Sequence, residues 1–270
     1  MINQHIGICG HRGAGKNTIS YLLANMIDYI LYHKPLDDLS DNFNRWCKEI
    51  YENESIIYEK EFQRVSIESF SNDIKSYIYC LIGIPMEFMN DDKCKDGVVI
   101  NMKNFEYDYK TNVDKSKIMS RKEFFEKRDI KSITPINSDI YLTLRDFILY
   151  FGQDVMQRFF GVNVWVKSMK VNKQKWDCNW IDDLYKIYTI FSDVKTQCEY
   201  EYIKSLNGII IKVSRLNHYK KESSLGKLEN STFDYEIVIN DDMFNDIDKL
   251  QQDIYNIANQ IIQNNGQSKC

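Results

Sequence analysis

The sequence predicts an α/β fold: a largely parallel sheet, flanked by helices on both faces, with one inserted substrate-binding or lid region. Three observations predict it. Short apolar runs that read as strands, HIGICG at 5–10, VSIESF at 65–70, IYTIFSDV at 187–194, IIIKVSR at 209–215 and YEIVIN at 235–240, alternate with stretches of helical apolar spacing. Strands separated by helices are joined by crossovers, which make neighbours parallel and bury both faces of the sheet. The stretch 85–139 lacks that rhythm, which marks it as an insertion into a core of 1–84 and 140–270.

The elements follow in order. HIGICG runs into a glycine-rich turn, and Ile19, Leu22, Leu23, Met26, Ile27, Ile30 and Leu31 then recur at helical spacing, predicting a helix of about 15 residues. From Pro35 to Phe62 the chain is polar, with a helix expected through Phe43–Ile57. SNDIKSYIYCLIG at 71–83 predicts a helix capped by Ser71 and closed at Gly83. In 85–139 charged residues and isolated aromatics alternate, and Asp96-Gly97 and Thr134-Pro135 mark turns, so short hairpins and helices are expected. The stretch 142–173 resumes a helical period that Gly152 and Gly161 break, predicting two or three short helices. TQCEYEYIKSLNG is a helix with Gly208 as its C-cap, and a last helix from about Phe244 to Ile262 carries Ile247, Leu250, Ile254, Ile257 and Ile261 on one face.

Composition narrows the function classes. A chain of 270 residues with 43% hydrophobic and 27% charged residues can bury a large core. A formal charge of −4 argues against duplex nucleic acid as the main partner, and no stable nucleic-acid complex is expected. No apolar run is long enough to cross a bilayer, and MINQH passes into IGIC without a basic region and signal core, so no membrane association is expected. The cysteines Cys9, Cys47, Cys80, Cys94, Cys178, Cys198 and Cys270 form no CxxC pair and no metal-spaced cluster with the histidines. Reduced core thiols in a cytoplasmic protein, or one in the host cytoplasm if viral, are the expectation. A homodimer is left open.

GHRGAGKNT at 10–18 lies between the first strand and its helix, where a phosphate-binding loop belongs. Gly10, Gly13, Ala14 and Gly15 let successive backbone N–H groups face an anion, and Lys16 adds positive charge at the helix start. The G-x-x-x-x-G-K pattern is complete, but Asn17 stands where a magnesium-binding hydroxyl is usual. Either Asn17, through its side chain or carbonyl, or Thr18 or water completes the metal shell. The bland reading is a glycine turn with a solvated lysine. Asp193, at the end of an apolar strand, holds magnesium through water, orients the acceptor side, or serves only a turn or helix cap.

In combination with later segments, this loop resembles the deoxynucleoside monophosphate kinases of phages and large DNA viruses, which have a P-loop kinase fold. The resemblance runs through GHRGAGKNT, FSNDIKSYIYCLIG at 70–83, LRDFILYFGQDVMQRFFGVNVWV at 144–166, FSDVKTQCEYEYIKSLNGIIIKVSR at 191–215 and DYEIVIND at 234–241. It implies transfer of the γ phosphate of ATP, with Mg2+, to a 5′ deoxynucleoside monophosphate. Lys75, Arg145, Gly152, Gln153, Arg158 and Trp165 match family positions, as does Asp193. Gln153-Asp154 replaces a Thr-Glu pair, Lys195 replaces an arginine but keeps its charge, and Gln197-Cys198-Glu199 preserves only part of an Asn-Glu ending.

Phosphoryl transfer depends on positioned charge, so arginines should dominate the acceptor site. Arg158 is the first candidate for acceptor or transition-state charge, with a plain surface arginine as its alternative. Arg145 either grips an acceptor phosphate bidentately or pairs with a carboxylate such as Asp146 or Asp154. Lys75 faces the crevice or solvent. Among Arg121, Lys122, Lys127 and Arg128 the pattern does not choose a residue that closes over ATP, and a solvated charged helix is expected. Trp165 stacks on a base or packs the core, and Phe159 and Phe160 are expected in the core. The rival readings are a nucleotide-binding regulatory or structural protein with little turnover, a kinase for another small acceptor, and a nucleic-acid end kinase.

Overall fold

The computed structural model describes residues 4–11, 13–32, 64–127, 136, 139–176, 188–215, 228, 231–239 and 247–267. The helix expected through Phe43–Ile57, the Thr134-Pro135 turn, Arg128, the side chain of Lys127, and Cys47, Cys178 and Cys270 lie outside the described residues. In chain order the elements are β1 Gln4–Gly10, α1 Lys16–Tyr32, β2 Val65–Glu68, α2 Phe70–Ile82, α3 Met86–Asn90, α4 Asp92–Gly97, β3 Val98–Asn101, β4 Tyr107–Tyr109, β5 Ile118–Met119, α5 Arg121–Lys127, β6 Tyr141–Thr143, α6 Leu144–Leu149, α7 Val164–Trp176, β7 Tyr188–Val194, α8 Gln197–Ser205, β8 Ile209–Arg215, β9 Tyr235–Ile239 and α9 Ile247–Gln267. They fall into two units, Met1–Phe70 with Asn172–Cys270, and Ser71–Val171.

The first unit is α/β. Its five strands lie in the order β2-β7-β1-β8-β9, every neighbouring pair parallel. Alternation along β1 explains how both faces are covered. Ile6 and Ile8 are fully buried in one cluster with Ile19, Leu23, Met26 and Ile27 of α1 and Ile254, Ala258 and Ile261 of α9. Each of the isoleucine, leucine and methionine side chains contributes roughly 1.5–3 kcal/mol by leaving water. Gly7 points the other way, where a Cβ would come 2.6 Å from Ile203 of α8 and 2.7 Å from Ile210 of β8, so α8 lies close on the second face. The chain leaves β1 toward β2 on one side, whereas it leaves β8 toward β9 on the other. The carboxyl ends of β1 and its neighbours therefore border the topological switch point, where such sheets receive ligands.

The second unit is built on a small sheet in the order β4-β3-β6-β5, with β3 antiparallel to both neighbours and β5 parallel to β6. Ile84, Met89, Ile100, Leu142, Leu144, Phe124 and Phe147 form its core. It takes in all of 85–139 that is described, together with α2 from Ser71 onward, α6 and most of α7, and so is wider than the insertion expected from sequence. Asp96-Gly97, expected as a turn, is the end of α4.

Several local expectations need correction. Residues 142–143 belong to β6, and the Thr143 hydroxyl caps α6 by accepting from the Asp146 N–H at 3.1 Å. Gly152 does not break the helix, because α6 runs on through the wide π-helical turns of Tyr150–Gln157 to a last turn at Arg158–Phe160. The glycine serves close packing there, since a Cβ would lie 3.1 Å from the Ile74 side chain. Gly161 does break it, at φ 92. Phe159 and Phe160 are exposed, not core, because they occupy the final turn where the chain swings away. Gly83 closes α2 as expected, with φ 71 and its N–H on the Tyr79 carbonyl at 2.8 Å. After α8, however, the left-handed residue is Asn207, at φ 56. Gly208 is needed for a different reason: a Cβ there would sit 2.5 Å from the Ile203 side chain and 2.8 Å from the His5 carbonyl. Cys9, Cys80, Cys94 and Cys198 are free thiols, but of these only Cys9 is buried, and Cys80 is exposed. Among the described residues no helix is long and apolar enough to cross a membrane.

Candidate functional site

The carboxyl end of β1 leads into a loop whose shape depends on its glycines. At Gly10 a Cβ would stand 2.4 Å from the Val213 backbone oxygen of β8, so only glycine lets the chain leave the sheet at this spacing. Gly13 and Gly15 take φ 77 and 86, a region that strains side-chain-bearing residues. Between them Ala14 is buried, with its N–H on the His11 carbonyl at 3.2 Å. The Ile19 N–H then bonds the Gly15 carbonyl at 2.9 Å and starts α1. The first N–H groups of a helix have no partner within it, and here they belong to Lys16, Asn17 and Thr18. Together with the helix dipole, they give the loop the chemistry to hold an anion.

Lys16 folds back over this loop, its ammonium donating to the Gly10 carbonyl at 3.0 Å and the His11 carbonyl at 2.8 Å. Burial, helped by the charge of Lys195 and opposed by that of Asp193, pulls its pKa down to about 8. The group is therefore mostly charged at neutral pH. Asn17 is exposed and Thr18 half-buried at the helix start.

Asp193 comes from the neighbouring strand, and an irregularity aims it. Gly7 pairs with Phe191 but Cys9 pairs with Val194, so two steps along β1 match three along β7, and the extra residue falls at Ser192 or Asp193. Such a bulge redirects side chains at the end of a strand. The buried Asp193 carboxylate accepts the Phe70 N–H at 3.1 Å through one oxygen and the Lys195 ammonium at 3.1 Å through the other. The helix-cap role considered from sequence is thus real, but it serves α2. Ser71, expected as that cap, lies inside the helix.

Behind Asp193 the turn into α8 is held by a reciprocal cap. The Thr196 hydroxyl accepts the Glu199 N–H, while one Glu199 oxygen accepts the Lys195 N–H at 2.7 Å and the Thr196 N–H at 2.8 Å. Burial and the Asp193 charge push the Glu199 carboxyl up to about 7 against those two hydrogen bonds. Sequence reasoning did not count Glu199 as a site residue, although Thr196-Gln197-Cys198-Glu199 spells a capping box.

The residues expected on the acceptor side all lie in the second unit. Lys75 bonds the Asn90 side chain at 2.8 Å. Arg145 takes the ion-pair alternative, but with other partners than expected: Asp96 at 2.6 and 3.0 Å and Asp92 at 3.1 Å. Asp154 is engaged elsewhere by the fork of Arg121, at 2.5 and 2.8 Å, and the Asp146 backbone is occupied in the cap of α6. Arg121 is therefore fixed to the α6 extension, whereas Lys122 is a solvated helix lysine opposite Glu126. Trp165 is buried, its indole N–H donating to the Gly152 carbonyl at 3.0 Å and its ring tilted against Tyr77, so it packs as core. Gln153 and Arg158 are exposed.

Among the described residues no three His, Cys, Asp or Glu side chains gather as a metal centre. Magnesium, however, is commonly held by one or two carboxylates plus substrate phosphates and water, and Asp193 beside the loop fits that modest requirement. Fold and loop together define an α/β protein with a glycine-rich loop at the carboxyl edge of a parallel sheet. No protein-family model matches the chain, and no curated protein matches it.

Proposed function

We propose that the protein is a P-loop nucleotide kinase that transfers the γ phosphate of ATP to a 5′ deoxynucleoside monophosphate. One observation carries the reading: a glycine loop with Gly10 wedged against β8, two left-handed glycines and Lys16 at a helix start stands at the switch point of a parallel sheet. The resemblance to viral and phage deoxynucleoside monophosphate kinases supplies the acceptor class.

In this reading the backbone amides of 13–16 orient the β and γ phosphates and Lys16 neutralises them. Charge that spreads over the transferred group meets groups already in place, which is where the rate gain arises. Magnesium, when bound, would supply positive charge against the charge that develops on the phosphates. Asp193 would hold it through water, because both its oxygens already accept hydrogen bonds, with Asn17 and Thr18 at the start of α1 as the other candidates. The acceptor phosphate is itself anionic, so no dedicated base is required, and Arg158 is assigned to its charge.

One observation favours a rival, a nucleotide-binding protein with little turnover. Arg145, a candidate for the acceptor phosphate, is committed to Asp92 and Asp96. An ADP-release assay over the four deoxynucleoside monophosphates and dUMP, with and without magnesium, decides between them. Acceptor-dependent ADP release that Lys16→Ala abolishes is expected. ATP binding without release for any acceptor would establish the rival.

A further inference from the structure

Resting on that nucleotide reading, we propose that Lys195 is a second cation of the polyphosphate site, positioned by Glu199. The strand register places it there. Cys9 of β1 stands opposite Val194, the last residue of β7, so Gly10 and Lys195 each follow directly on that pair at the carboxyl edge of the sheet. The Gly10 carbonyl in turn takes the Lys16 ammonium at 3.0 Å. One lysine from the start of α1 and one from the β7–α8 turn thus flank the same loop.

The two charges sense each other, since Lys195 contributes to the lowered pKa of Lys16. Asp193 is the counter-ion that keeps them together, 3.1 Å from the Lys195 ammonium. The Lys195 side chain is about half-exposed and ends on Asp193, and its backbone is fixed, because Glu199 holds the N–H groups of both Lys195 and Thr196. A fixed backbone and an ammonium already held beside the loop by Asp193 suit a ligand that brings several negative charges. A triphosphate chain has enough oxygens to engage the loop amides and both ammoniums, whereas a single phosphate needs only one.

The test is direct binding, free of turnover. Inorganic tripolyphosphate and ATP are titrated calorimetrically, without acceptor, into the wild-type protein, Lys195→Met, Lys195→Arg, Lys195→Gln and Lys16→Ala, each checked for a native melting transition. Losing a charge-assisted hydrogen bond should weaken both ligands about tenfold or more in Lys195→Met and Lys195→Gln, with Lys195→Arg within about threefold of wild type. Wild-type affinity in Lys195→Met and Lys195→Gln, beside lost binding in Lys16→Ala, would overturn the role of Lys195 and leave the nucleotide reading intact. Equal losses in Lys195→Arg and Lys195→Met would also overturn it, because charge would not be what matters. Failure of the wild-type protein to bind either ligand would instead overturn the nucleotide reading itself.

Discussion

Glutamine at position 199 should make the protein's stability far less dependent on pH. The Glu199 carboxyl is buried, and burial together with the Asp193 charge raises its pKa from the ordinary 4.5 to about 7. The folded state therefore holds this proton more tightly than the unfolded chain. The stability that results is present in full below about pH 4.5 and is lost as pH rises through about 7. At about 1.4 kcal/mol per unit, a rise from 4.5 to about 7 corresponds to about 3 kcal/mol, most of it falling between pH 5 and 8. Glutamine keeps an oxygen for the Lys195 and Thr196 N–H donors and has no charge to bury. Urea unfolding of wild type and Glu199→Gln at pH 5, 6, 7 and 8.5 measures the effect. Glu199→Gln should gain on wild type by about 2–3 kcal/mol across that range. Two curves running parallel would refute the placement of a buried, reluctantly ionised carboxyl behind Asp193.

Other outcomes follow from single contacts. ATP affinity should hold up to about pH 7.5 and fall as pH passes about 8, where Lys16 loses its proton, while Lys16→Arg should bind without that fall; calorimetric titration at several pH values reads both. Gly10→Ala drives a methyl 2.4 Å from the Val213 carbonyl and should cost about 2 kcal/mol or more in urea unfolding along with ATP binding, whereas Gly97→Ala, whose Cβ meets nothing, should stay within about 0.5 kcal/mol of wild type. Trp165→Phe leaves the Gly152 carbonyl without its indole donor and should cost about 1–3 kcal/mol in unfolding while leaving the order of preference among acceptor bases unchanged.

What the sequence reveals depends on how local its causes are. The strands at 5–10, 209–215 and 235–240 and the helices after Gly15 and Ser69 are legible because each has its own periodicity and ends within about a residue or two of a turn signal. Glycine is legible only as a signal of something, not of what. Gly83 and Gly161 mark ends because they adopt positive φ, but Gly152 is needed for a contact with Ile74, far off in sequence, and Gly208 for its close approach both to Ile203 and to the distant His5 carbonyl. The partners of Arg145 were missed for the same cause. Asp92 and Asp96 lie one turn apart on α4 and reach Arg145 only once β3 and β6 pair.

The site shows the same division. The loop from Gly10 to Lys16 can be read directly, since its glycines, lysine and following helix are all local to one segment. Asp193 can be named from its place at a strand end, but its surroundings cannot, because they depend on a bulge that sets three residues of β7 against two of β1. That one extra residue turns Asp193 toward the Phe70 N–H and sets Val194, the residue before Lys195, opposite Cys9, the residue before Gly10. A single carboxylate thereby caps α2, anchors Lys195 and sits close enough to Lys16 to raise its pKa against burial. Replacing Asp193 would disturb all three at once, so loss of activity in Asp193→Asn would not by itself identify a metal ligand. Lys195 and Glu199 are the better probes, because neither holds the Phe70 N–H that Asp193 accepts at the start of α2.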